Sequence, residues 1–126
     1  FPYTTLFRSE LINGHTAQTI HVETLCQNSV LFFLTARKFL EQLSFGGPLS
    51  FRFKLDSTRG KRALLGQQTS TVLEDYLRLD RNLFLTDLQN NLPSLLENIL
   101  HEAAWSLGLQ ITPEQIRTLV NRYLQP

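Results

Sequence analysis

Methionine is absent from the 126 residues, and cysteine and tryptophan occur once each. The chain therefore does not open on an initiator residue. With Cys26 as the sole cysteine, no disulfide can close within the chain. That favours a reducing compartment, and a cytoplasmic location is expected. Long hydrophobic runs are missing too. The longest, "SVLFFL" at Ser29–Leu34, falls far short of the roughly 20 apolar residues of a membrane-spanning helix, so no membrane partner is expected. There is no internal repeat and no low-complexity tract.

The first nine residues, "FPYTTLFRS", read back into the codons TTT CCC TAC ACG ACG CTC TTC CGA TCT. That string resembles the end of a widely used short-read sequencing adapter, in one frame and at every position. The resemblance implies that Phe1–Ser9 is foreign and that Glu10 is the first native residue, so the segment is left out of fold reasoning. It also implies that residues 10–126 are one domain from the C-terminal part of a longer protein. The formal charge is +1, from 12 basic and 11 acidic residues. Setting Arg8 aside leaves 11 against 11, so net charge points to no particular partner. The hydrophobic fraction of 42% suits a globular domain with its own core.

Residues 14–25, "GHTAQTIHVETL", read as a strand, with Ile20 and Val22 on one face and His21 and Glu23 on the other. A helix follows, capped at Asn28 or Ser29. Its apolar stripe runs through Val30, Phe33, Leu34, the Arg37 stem, Leu40 and Leu43, widened by Leu31, Phe32, Ala36 and Phe39. Gly46, Gly47 and Pro48 are expected to stop it. From Leu49 to Asp56 apolar and polar residues alternate without exception, the mark of a half-buried strand. "DSTRGK" is then a turn. Leu73 and Leu77 sit at helical spacing, but Val72–Leu85 also suits two strands around a tight turn at "DRN", Asp80–Asn82, and the hairpin is preferred. A helix begins near Asn90 or Asn91, with Pro93 in its first turn, and stops at Gly108. Thr112 and Gln115 form a capping box for a last helix whose inward residues are Ile116, Leu119, Val120, Tyr123 and Leu124. The order β-α-β-β-β-α-α predicts a two-layer α+β fold: a small sheet with helices on one face.

Catalytic and metal motifs fail residue by residue. A phosphate-binding loop around Gly60-Lys61 needs glycine where Leu55 stands and Ser or Thr where Arg62 stands. "HEAAW" at His101–Trp105 lacks the second histidine of a zinc-protease helix. It reads as a surface histidine beside a partly buried tryptophan. Cys26 and His21 lack a third, orienting group, so Cys26 is expected to be a buried, inert thiol. Glu74, Asp75, Asp80 and Asp87 are spread along a polar face and turns, where carboxylates mostly meet water. No catalytic residue, metal or cofactor is therefore expected.

One cluster is kept: Arg52 and Lys54 on one strand face, and Arg59, Lys61 and Arg62 in the turn beyond. Such cations can contact phosphate oxygens. The plainer reading, a charged face that keeps the domain soluble, is preferred given the balanced charge. The leading expectation for function is a non-catalytic regulatory or interaction domain: ligand sensing, oligomerisation or contact with a protein partner. The alternative is an accessory nucleic-acid- or anion-binding module built on the basic cluster. A third reading is an enzyme fragment whose other site residues lie upstream.

Overall fold

A computed structural model describes residues 19–124. The adapter-like segment and the upstream part of the first expected strand, residues 14–18, lie outside the described residues. The elements are β1 (Thr19–His21), α1 (Val22–Gln42), β2 (Pro48–Asp56), β3 (Arg62–Leu65), β4 (Gln68–Thr71), β5 (Tyr76–Phe84), α2 (Leu85–Asn90), α3 (Leu92–Ser106) and α4 (Pro113–Leu124). The fold is α+β, as the sequence predicts. The strands form two small sheets, β1-β3-β4 and β2-β5, in place of the single sheet expected.

β2 follows the alternation of its sequence. Phe51, Phe53 and Leu55 are buried, while Arg52, Lys54 and Asp56 are exposed. The expected turn at Asp80–Asn82 does not form. β5 runs straight through it and pairs antiparallel with all of β2, from Pro48 opposite Phe84 to Asp56 opposite Tyr76. Leu77, Leu79, Arg81 and Leu83 fall at every second position, so the inner face continues across "DRN". The reversal lies earlier, at Gly66-Gln67 between β3 and β4. Gly66 has φ +59 and takes the first central position of the turn, where a two-residue hairpin favours glycine.

β2–β3 and β4–β5 are thus the two arms of one long bent hairpin. Five residues, 57–61, join the strands of one arm, and four, 72–75, join those of the other. The arms stay bonded across this joint: the Thr58 N–H donates to the Asp75 carbonyl at 3.0 Å, and the Val72 N–H to the Lys61 carbonyl at 2.8 Å. The extra residue is absorbed as a bulge, with Ser57 at φ 57 and Gly60 at φ 80. β1 adds to β3 in parallel, Thr19 opposite Arg62.

α1 begins at Val22, before Asn28 and Ser29. Val22, Leu25, Cys26, Ser29, Val30 and Phe33 are all buried at helical spacing. Burying that stripe outweighs the capping preference of Asn28 and Ser29, which sit inside the helix. Its stop also differs from expectation. Ser44, not a glycine, takes the left-handed conformation, at φ 52. The Ser44 N–H then donates to the Glu41 carbonyl and the Phe45 N–H to the Leu40 carbonyl, both at 3.1 Å, a Schellman ending. α3 ends the same way at Gly108, φ +86, with Leu109 N–H bonded to the Ala104 carbonyl at 2.9 Å. The capping box of α4 forms as expected: Gln115 N–H to Thr112 Oγ1 at 3.2 Å, and Thr112 N–H to Gln115 Oε1 at 2.9 Å.

The buried residues form one cluster. The helices cover the inner face of the β2–β5 ribbon, where the Phe33 and Phe51 rings lie 4.7 Å apart. The outer face of the ribbon carries charged and polar side chains along its middle, with Tyr76 and Phe84 exposed at the two ends of β5.

Candidate functional site

The five cations singled out in the sequence do not converge on one point. Arg52 and Lys54 project from the outer face of β2. Arg59 and Lys61 stand in the joint, and Arg62 opens β3. Three of them meet carboxylates. Arg52 Nε lies 3.1 Å from Asp80 Oδ1, and Asp80 Oδ2 is shared with Arg78 Nε at the same distance. Lys54 Nζ lies 3.2 Å from Asp56 and 5.2 Å from the centre of the Tyr76 ring. Arg59 bonds Asp75. That bond holds the Asp75 carboxyl below its ordinary range and raises Arg59, with the opposite charge reinforcing both shifts. Lys61 and Arg62 make no ion pair among the described residues. Asp87 serves the backbone instead, accepting the Phe84 N–H at 2.7 Å at the start of α2. Glu74 offers its backbone carbonyl to Thr58 Oγ1 at 2.7 Å.

Cys26 is fully buried in α1. Burial pushes its thiol up to about 12; the Glu23 charge adds to this, and Arg122 opposes it. At neutral pH the group is a thiol, not the thiolate that acts as a nucleophile. His21 is exposed at the start of α1. Trp105 donates its indole N–H to His101 Nε2 at 3.1 Å. The tryptophan is more exposed than the sequence suggests, at 56%, and the half-buried member is His101. Among the described residues no three His, Cys, Asp or Glu side chains are grouped to hold a metal.

The surface also carries a concave feature that the sequence patterns do not announce. A groove of about 410 Å³ opens between the C-terminal half of α1, the segment leading into β2, and Leu83 and Leu88. Phe32, Phe33, Phe39, Phe45 and Phe51 line it, and no charged side chain does. Two helix positions, Phe32 and Phe39, are only half-buried. Phe45 is 38% exposed, and Leu43, which caps α1, is 60% exposed. The Schellman ending places Phe45 here, because its N–H reaches back to Leu40, another lining residue. The signal in the sequence is the density of phenylalanine between positions 32 and 51; helical and strand periodicity assign Phe32, Phe33, Phe39 and Phe51 to core and leave Phe45 unassigned. Comparison with protein-family models, with curated proteins and with solved structures finds no match for this chain.

Proposed function

We propose that the domain is a non-catalytic interaction module whose working surface is the phenylalanine groove. The observation that carries this reading is the groove itself: concave, uncharged and lined by five phenylalanines. Its volume is within the range of about 300–1,000 Å³ typical of ligand sites. A concave, mostly apolar lining with few polar groups is the usual form of a site that takes an apolar group of a ligand or a partner. Phe45 keeps 38% of its surface in water, and covering that remainder is favourable at about 25 cal/mol per Å².

The uncharged dye Nile red tests the groove directly. Its emission should rise and shift to the blue with the 126-residue chain, and Ala36→Arg should remove most of that change. Ala36 lines the groove on a half-buried helix position, so arginine fills the space while its head reaches water. The circular-dichroism spectrum should be unchanged. No emission change, or one indifferent to Ala36→Arg, defeats the reading.

A further inference from the structure

The groove adjoins the outer edge of β2, and that edge has a readable polarity. In an antiparallel ladder, pairs that exchange hydrogen bonds alternate with pairs that do not. Pro48, which has no N–H, stands opposite Phe84, and Phe84 donates its own N–H to Asp87. That pair is therefore of the second kind. So is the pair Arg52–Asp80, four residues along, where the Asp80 carbonyl accepts from Arg81 Nη1 at 2.9 Å. By this alternation Ser50, Arg52 and Lys54 turn their N–H and C=O groups away from β5.

The two edges of the ribbon are treated differently. The β5 edge is guarded by Arg81, which bonds the Asp80 carbonyl and is held by Asn98 and Glu102 of α3. β2 has no second strand neighbour among the described residues. Further along the same arm, β3 already accepts β1 on that side. A long unpaired edge is a template for one more strand.

We propose that the β2 edge and the phenylalanine groove together receive an extended polypeptide segment of a partner, one that alternates apolar and acidic side chains. This deepens the interaction reading above and rests on it. An added strand bonds its backbone to Ser50, Arg52 and Lys54, and its side chains point alternately to the two faces. Those on the inner side enter the groove. Those on the outer side run beside Arg52 and Lys54. On that outer face three cations, Arg52, Lys54 and Arg78, stand against two carboxylates, Asp56 and Asp80. These ion pairs are exposed, so they compete weakly with an incoming carboxylate. The same charges disfavour a second copy of this chain as the occupant in the registers centred on Arg52 or Phe53, where antiparallel β2 edges set Arg52 against Arg52 or Lys54 of the other copy.

The test is a fluorescein-labelled peptide as long as β2, alternating valine and glutamate, titrated into the 126-residue chain and read by anisotropy. Saturable binding is expected. It should weaken about tenfold or more when alternate peptide nitrogens are methylated, and when lysine replaces glutamate. Ser50→Pro removes an N–H that points outward, so the ladder to β5 is kept while peptide binding is lost. Should that variant fail to fold, Ala36→Arg and the methylated peptide still decide the matter. Equal binding of the methylated peptide, or no binding at all, overturns the inference. Concentration-dependent dimerisation abolished by Ser50→Pro overturns it in favour of a second copy. If Nile red enters the groove and the peptide does not bind, this inference fails alone; if neither binds, the interaction reading fails with it.

Discussion

Arg81 of β5 reaches Glu102 of α3, Nη2 to Oε1, at 3.1 Å. It does so from the inner face of a strand, between Leu79 and Leu83, with only 22% of its side chain exposed. The same guanidinium bonds Asn98 at 3.1 Å and the Asp80 carbonyl. A cation on the apolar side of a sheet is tolerated because each of these partners replaces water. Arg81→Ala should lower stability by about 1–2 kcal/mol, as loss of charged hydrogen bonds from a half-buried site does. Glu102→Gln should cost less, because Glu102 is half exposed and the amide oxygen still accepts. Urea denaturation of both, with the double variant, measures the coupling.

The faces of β2 are tested by neighbours. Phe53→Asp buries an unpaired carboxylate in the core and should prevent folding. Lys54→Asp changes an exposed residue and should shift stability by less than about 1 kcal/mol. Far-UV circular dichroism separates the two; equal behaviour of both variants contradicts the alternation.

The two helix endings make opposite predictions. Ser44→Gly removes the side-chain clash at a left-handed position and should raise stability by about 1 kcal/mol. Gly108→Ala introduces that clash and sets a Cβ 3.3 Å from Ser70 Oγ, so stability should fall by about 1–2 kcal/mol. Thermal melts of the pair should move in opposite directions.

Cys26 ties stability to alkaline pH. Its folded value of about 12 lies above the ordinary 9.0, so the native state keeps a proton that the unfolded chain gives up. The contribution is fully present below pH 9 and is lost as pH rises toward 12, at a limiting slope of about 1.4 kcal/mol per pH unit. Denaturation followed from pH 8 to 10.5 should show the decline, and Cys26→Ala should flatten it. A thiol reagent should modify the native protein far more slowly than the unfolded chain.

The phosphate-binding alternative has a clear signature in salt. A patch of Arg52, Lys54, Arg59, Lys61 and Arg62 that releases counterions would give affinity for duplex DNA that falls steeply with ionic strength. We expect weak binding that is unchanged when Arg59, Lys61 and Arg62 become glutamine. A dissociation constant of about 1 μM or tighter at physiological salt, abolished by that substitution, would promote the nucleic-acid reading.

Local chemistry was legible where neighbours in sequence are also neighbours in space. The alternation of Leu49–Asp56, the Thr112–Gln115 capping box and the Gly108 stop each depend on groups a few residues apart. What the sequence could not reveal depends on contacts between distant residues. Asn28 and Ser29 look like a helix start until Val22, Leu25 and Cys26 find a core to enter. "DRN" looks like a turn until Arg81 is met by Asn98 and Glu102, 17 and 21 residues away. The same holds for the candidate site. The sequence alone placed Arg52 and Lys54 on one strand face and phenylalanines in a helical stripe. Only tertiary structure decided that Asp80 and Asp75 meet Arg52 and Arg59. It also decided that Phe45, turned back by a left-handed serine, stands with Phe32, Phe39 and Phe51 around an open groove. Periodicity is a property of the backbone and is written locally. A concave surface is made by elements that meet only after the chain has folded.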